Sequence, residues 1–399
     1  MSSIHAAGPY ALVGIDGGAT EVKTHLVRLE GPPSAPLFRL GETSASRKYE
    51  RVVGFRPVDV AEQLKQRGDP DLTPAEKEQG RRYVEATAQT IVEVARQAGA
   101  ERVLIGMGMP GLKTPDGRGI AVINNGPRIP DYLDDLDEAL ESAGITLVAP
   151  VSRLGSDADY CGMGEEYAAD GLFRDVQNAY YLGGGTGIAD AMKLRGQLVP
   201  FDEAKPWIHK AWQIPSCLGP TFEKLASALG LSTAYANLLG ISMATLAKEE
   251  RYPEAEALRG DVLAESVLEG ASLVLAELIF ERVNTIKNGR ADVPHRGQAY
   301  LELRGDHPYR GTLLDRIVIG QRVGNMYDEP QFADAFKKKL DRCLTRLILN
   351  SDDAELRKHY LAGDTVRPGI VVASKLREAP AIGAAIDAVR CNAHLLQGQ

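Results

Sequence analysis

Three short stretches carry residues whose types and spacing could handle a phosphorylated ligand. The first is Asp16-Gly17-Gly18-Ala19-Thr20, followed by Lys23. Glycines in a hairpin turn reach positive φ and let backbone N–H groups approach an anion. An Asp at the end of a strand can hold Mg²⁺ through water. An ordinary hairpin turn explains the same stretch about as well. Two rival glycine motifs are excluded. A dinucleotide fingerprint needs a helix after its glycines, whereas Val22, Thr24 and Leu26 alternate as a strand. A Walker A loop needs Gly-Lys-Ser/Thr, which the chain lacks.

The second stretch is Gly183-Gly184-Gly185-Thr186-Gly187. Alone it is a common hairpin composition. Its weight comes from being a second such turn, at the equivalent place of a second strand–turn–strand unit. The third is Gly155-Ser156-Asp157-Ala158-Asp159. Asp157 is either the N-cap of the helix that follows or a carboxylate poised to accept a hydroxyl proton, as phosphoryl transfer requires.

These residues need elements to hold them. Tyr10 to Asp16 reads as a buried strand, Glu21 to Leu29 as an alternating one, and Pro36 to Leu40 as a third. Thr73-Pro74-Ala75-Glu76 is a capping box with Pro at the first helical position, opening a helix that Gly99 ends. Arg102 to Met107 is a strand, Asp134 to Ala143 a helix, and Thr146 to Val151 a strand. The pattern restarts with strands at Ala179–Leu182 and Ile188–Leu194. Helices dominate Pro220 to Ile286, strands follow at Arg316–Ile319 and Ile370–Val372, and a helix runs from about Pro380. The duplication predicts two related α/β domains with a cleft between them. The polar segment 287–314 reads as a surface insertion.

Composition bounds the function class. Of 399 residues, 44% are hydrophobic and 25% charged, the mix of a soluble globular chain. A net charge of −8 argues against nucleic acid as a partner. Cys161, Cys217, Cys343 and Cys391 are far apart with no CxxC pair, which argues against a disulfide framework or a Cys-rich zinc site. Met1 to Pro9 has neither a basic start nor a long apolar run, so no signal peptide, membrane anchor or membrane span is expected, and a cytoplasmic location is.

Together the three stretches resemble the ROK family of sugar kinases, within the actin/hexokinase-like superfamily. Ile15 to Lys23 is similar to that family's first phosphate turn. Met109-Pro110-Gly111, then Asp116, Gly117 and Gly119, resembles its strand-to-loop segment. Asp157-Ala158 through Gly164-Glu165 resembles its Asn-Asp-Ala…Leu-Gly-Glu segment, and Leu182 to Leu198 its second phosphate turn. Val318 to Val323 resembles its adenosine-side strand and turn, and Ala379 to Ala385 the start of its last helix.

The resemblance implies two ribonuclease H-like domains flanking a nucleotide cleft, with boundaries expected at 1–125 plus 381–399 and at 126–380. It implies ATP and Mg²⁺ as cofactors and a small sugar or cyclitol as substrate, with Asp157 as general base. ATP would be held by Asp16, Gly17, Gly18, Thr20, Lys23, Gly184, Gly185, Thr186, Gly320, Gln321 and Gly383, and Mg²⁺ by Asp16 through water. Substrate contacts would come from Gly111, Asn125, Ser156, Glu223 and Glu203, although Asn124-Asn125-Gly126 also reads as a turn. A homodimer is left open, as is a non-catalytic sugar-binding regulator.

Departures from the family pattern shape these expectations. Pro206-Trp207-Ile208-His209 stands where the family has Glu-x-Gly-His, and only Cys217 stands near the family's three zinc cysteines. His209 alone cannot make a zinc site, so no structural zinc is expected. Ser156 replaces the family's Asn before the catalytic Asp. With Pro206 it points away from plain glucose and toward a cyclitol or an unusual hexose.

Overall fold

The computed structural model describes residues 10–32, 35–66, 68 and 70–396. The N-terminal segment Met1 to Pro9, read above for targeting, lies outside them. The chain forms two compact units, Met1–Gly171 with Glu378–Gln399, and Leu172–Arg377.

In the first unit the strands are β1 (Ala11–Gly17), β2 (Glu21–Glu30), β3 (Leu37–Lys48), β4 (Arg102–Gly108), β5 (Leu112–Lys113), β6 (Ile120–Val122), β7 (Thr146–Leu147) and β8 (Leu154–Gly155). The sheet runs β3-β2-β1-β4-β7, with β8 also on β4 and β5–β6 forming a separate hairpin. β3, β2 and β1 pair antiparallel, and β1–β4 and β4–β7 pair parallel. Alternation along β2 assigns the faces. Val22 and Thr24 are fully buried, and Thr24 Oγ1 bonds Thr90 Oγ1 of the helix Pro74–Gln97 at 2.7 Å. Lys23 and His25 point the other way, toward Glu378 at the start of the C-terminal helix Ala379–Cys391.

The second unit repeats this order with β9 (Ala179–Gly184), β10 (Ile188–Leu194), β11 (Gln197–Val199), β12 (Arg316–Gly320), the small hairpin β13 (Leu361–Ala362) and β14 (Thr365–Val366), and β15 (Val371–Ala373). Its sheet runs β11-β10-β9-β12-β15, antiparallel across the first three and parallel across the last. The duplication expected from the two glycine turns therefore extends through the whole strand order. The 27-residue helix Val262–Asn288, capped by Asp261, supplies much of this unit's core.

The unit boundaries depart from 125/126 and 380/381. The helix Tyr132–Ser142 packs on the helix Pro74–Gln97, and β7 and β8 extend β4, so residues 126–171 complete the first unit. The strand expected over Thr146–Val151 pairs only at Thr146–Leu147. Segment 287–314 is not a surface insertion. Tyr300, Leu303 and Leu314 join the second unit's core, and Arg296 and His307 are buried with partners. The capping box is half formed. Thr73 caps the Glu76 N–H at 3.2 Å, but the Glu76 carboxylate takes Arg128 Nε and Nη2 at 2.8 Å each.

Candidate functional site

The first turn closes where β1 meets β2. Gly18 N–H donates to Glu21 O at 2.8 Å, which leaves the amides of Ala19 and Thr20 as the turn's remaining donors. Neither Gly17 nor Gly18 has positive φ. The expected reason for these glycines is therefore replaced by another, close approach. A Cβ on Gly17 would sit 1.9 Å from Met109 Sδ, and one on Gly18 3.1 Å from Glu21 O. Two tyrosines that sequence reasoning missed fix the turn from behind. Tyr83 donates its hydroxyl to Ala19 O at 2.5 Å, and Tyr49 N–H donates to Thr20 O at 3.0 Å. Their rings stack with centroids 3.6 Å apart. A Tyr at the end of a strand and another inside a helix carry no local pattern that would reveal this pairing.

Three strand ends converge beside that turn. Asp16 on β1 is in register with Gly108 on β4, and Gly108 with Gly155 on β8. Ser156 and Asp157 follow directly, which brings Asp157 to Asp16. Burial, and then the Asp157 carboxylate, push the Asp16 carboxyl up to about 7; Glu378 and Glu21 add to this and Lys23 opposes it. Lys23 Nζ lies 4.0 Å from Glu378 and 3.9 Å from Glu21. Such a concentration of carboxylate oxygen with one cation suits a hard cation held through water. Among the described residues no cluster of three or more His, Cys, Asp or Glu could hold a metal ion directly.

The two readings of Asp157 separate here. The helix is Asp157–Tyr167, and its N-cap is Ser156, whose Oγ accepts from Asp159 N–H at 3.4 Å. Asp157 is the first helical residue, half-buried, and its Oδ1 accepts Ala158 N–H at 3.0 Å. Its helix is seated against the C-terminal helix through glycines. A Cβ on Gly164 would lie 2.8 Å from Ala379 O, and one on Gly383 1.9 Å from Tyr160 O. At Gly383, expected at the nucleotide, helix packing by itself already requires a glycine.

Gly111 has φ +86°, and a Cβ there would lie 2.2 Å from Val122 O. Lys113, which the sequence did not single out, donates Nζ to Met109 O at 2.6 Å and Gly111 O at 2.9 Å, bracing the same loop. Asn125 is exposed with φ +62°, the conformation of a turn residue. Gln63 orders the strand leading into it. Gln63 Nε2 donates to Ile123 O at 3.0 Å and its Oε1 accepts Ile123 N–H at 2.8 Å.

In the second unit the turn joins β9 to β10. Gly185 N–H donates to Gly187 O at 3.0 Å, and Thr186 is exposed at the tip. Gly320 is in register with Gly183, so the β12 turn meets the glycine turn. A Cβ on Gly184 would lie 2.2 Å from Val323 Cγ2, and one on Gly185 2.3 Å from Gln321 Oε1. Gln321 itself has φ +58°. Glu223, expected as a substrate contact, accepts Ile188 N–H at 2.9 Å and lies against Gly187. It braces this turn. Glu203 is exposed on the short helix Phe201–Ala204. Cys217 N–H donates to Glu277 Oε2 at 2.9 Å, and burial and that carboxylate push its thiol up to about 11. Loss of solvation lowers the pKa of His209.

Solved structures share this architecture. The chain is similar to a ROK family glucokinase from Streptomyces griseus, solved with glucose and AMPPNP, at 15% identity and TM-score 0.56, covering 95% of this chain and 99% of that one. It is similar to a ROK hexokinase from Thermus thermophilus at 17% identity and TM-score 0.54, covering 96% and 99%. It is also similar to a ROK family transcriptional regulator, a homolog of the E. coli MLC protein, at 14% identity and TM-score 0.54, covering 98% of this chain and 79% of that one. No family model and no curated protein matches the sequence. The chain has the ROK-like actin/hexokinase fold.

Proposed function

We propose that the protein is an ATP-dependent kinase acting on a hydroxyl of a sugar or sugar-like polyol. The observation that carries this reading is the placement of Asp157. It stands beside Asp16 at the converging ends of β1, β4 and β8, and the capping role that would explain it otherwise belongs to Ser156. Asp157 then orients the acceptor hydroxyl and takes its proton as the γ-phosphoryl leaves ATP. The amides of Ala19 and Thr20, with Lys23, receive phosphate oxygens in the first unit. In the second unit the Thr186 turn, braced by Glu223 and backed by Gln321, is a further candidate for holding phosphate. Mg²⁺, anchored through water at Asp16, would neutralise charge on the phosphates. Cys217 and His209 hold no structural zinc in this reading.

Ser156 directs its hydroxyl to Asp159 N–H, which leaves the acceptor a different polar partner from the Asn of the ROK pattern. That favours a cyclitol or an unusual hexose over glucose. ADP release measured over a panel of hexoses, amino sugars and cyclitols tests the proposal. One class should stimulate release strongly. ATP turnover indifferent to every polyol would contradict it.

A further inference from the structure

One face of the helix Pro74–Gln97 braces two segments of the first unit at once. Glu76, Gln79, Gly80 and Tyr83 stand at i, i+3, i+4 and i+7, a single stripe along the helix, and all four are buried. Glu76 Oε1 accepts Arg128 N–H at 3.1 Å and Arg128 Nε at 2.8 Å. Gly80 lies against Ile129, where a Cβ would stand 3.3 Å from Cγ1. Gln79 holds the chain that follows β3, accepting Val52 N–H at 2.8 Å and donating to Glu50 O at 2.9 Å. Tyr83 reaches both segments. Its hydroxyl donates to Ala19 O of the first glycine turn at 2.5 Å. The same oxygen lies 3.4 Å from where a Cβ on Gly126 would stand.

Gly126 follows Asn124 and Asn125, which are exposed while Gly126 itself is buried. This loop starts beside the strand ends that carry Asp16 and Asp157. Leu112 pairs with Val122, and a Cβ on Gly111 would meet Val122 O at 2.2 Å, so the chain entering Asn124 packs on the chain leaving Gly108. Gly108 is in register with Asp16 and with Gly155. The Tyr83 hydroxyl also sets the direction of a phosphate donor. In a trans peptide the C=O and N–H point opposite ways. Ala19 O, pinned inward on Tyr83, therefore turns Thr20 N–H outward, and Tyr49 N–H on Thr20 O holds the next peptide. Thr20 is exposed, as a donor to an incoming phosphate must be. Filling space against Tyr49 and Gly126 would need only the ring of a phenylalanine.

We propose, on the kinase reading above, that Tyr83 is a positioning residue that couples the phosphate turn to the acceptor loop, so that nucleotide held at Ala19 and Thr20 orders residues 124–126. Calorimetry and hydrogen exchange on the full chain test this, with AMPPNP and Mg²⁺ as the probe. In wild type the probe should bind and slow exchange both in 17–22 and in 123–129. Tyr83→Phe should bind it about 5-fold more weakly, the size of one lost hydrogen bond. At saturation it should protect the turn but no longer the loop. Tyr132→Phe removes another buried hydroxyl, one that meets Thr87 Oγ1 of the same helix at 2.7 Å. It reports the effect of lost stability alone, and should bind and protect as wild type does. A Tyr83→Phe protein that binds as tightly as wild type, or that still protects both segments, overturns the coupling and leaves the kinase reading standing. So does a Tyr132→Phe protein with the same losses. A wild type that binds no nucleotide overturns both.

Discussion

Tyr160, one helical turn after Asp157, donates its hydroxyl to Asp387 Oδ2 at 2.8 Å, and Arg153 Nη2 donates to Asp387 Oδ1 at 2.9 Å. A buried carboxylate on the C-terminal helix thus ties together the approach to β8 and the helix that presents Asp157. Burial, with the nearby Asp387 charge, raises the Tyr160 pKa, so the phenol remains a donor throughout the working range.

Removing that donor should cost stability. Tyr160→Phe leaves Asp387 with Arg153 and the Cys391 thiol as side-chain partners and is expected to lower stability by about 1–3 kcal/mol. Asp387→Ala should cost more, since it strands the buried Tyr160 phenol and removes the carboxylate that Arg153 reaches. Urea unfolding of both variants checks this, and a Tyr160→Phe chain as stable as wild type would refute the tie.

Glycine substitutions should split by what surrounds them. At Gly383 a methyl group would meet a backbone carbonyl, Tyr160 O, at 1.9 Å, and backbone cannot swing aside. Gly383→Ala should therefore cost at least about 3 kcal/mol, the upper end for overpacking. Gly270 sits inside the helix Val262–Asn288 with nothing within 4 Å of an added Cβ. Gly270→Ala should instead stabilise by roughly 0.5–1 kcal/mol. Equal effects at the two sites would count against the packing described.

The same contrast explains what was legible in the sequence. The two hairpins announce themselves because Val22 and Thr24 alternate with Lys23, and because glycines interrupt both apolar runs. The parallel strands β7 and β8 have only two residues each, too few for any periodicity, so the chain from 126 to 171 could not be assigned to its sheet. Segment 287–314 misleads for another reason. Its Arg and His side chains look solvent-bound, yet Arg296 donates to Tyr300 at 2.8 Å and His307 bonds Thr285 O at 2.9 Å. Burial there rests on partners from the helix Val262–Asn288 as well, Thr285 for His307 and Glu277 for Arg296. Of the site, Asp16 and Asp157 were visible, whereas Tyr49, Tyr83 and Lys113 act through backbone carbonyls that no motif encodes.

His307 supplies a pH dependence. Its Nδ1 accepts Tyr309 N–H at 3.2 Å, so the neutral ring carries its proton on Nε2 and donates to Thr285 O. Its ring also stacks on Trp207 at 4.1 Å. Burial lowers its pKa below 6.5. Between that depressed value and 6.5 the unfolded chain binds a proton that the folded chain refuses, so stability rises with pH across this window. The contribution is complete above 6.5 and is lost as pH falls through the folded pKa. Thermal unfolding of wild type and His307→Gln from neutral to mildly acid pH should show a steeper acid loss in wild type. Parallel profiles would contradict the assignment.

Asp157 is the group on which the proposed phosphoryl transfer depends. Asp157→Asn keeps the shape and a side-chain oxygen that can accept Ala158 N–H, and Ser156 still caps the helix, so fold, melting temperature and ATP affinity should be unchanged. What disappears is the basic oxygen. Polyol-dependent kcat should fall at least about 100-fold, the lower end of what a positioned base contributes, while Asp159→Asn stays near wild type. Near-normal turnover in the Asp157→Asn protein, or an equal loss in the Asp159→Asn protein, would contradict the assignment of Asp157 as the base.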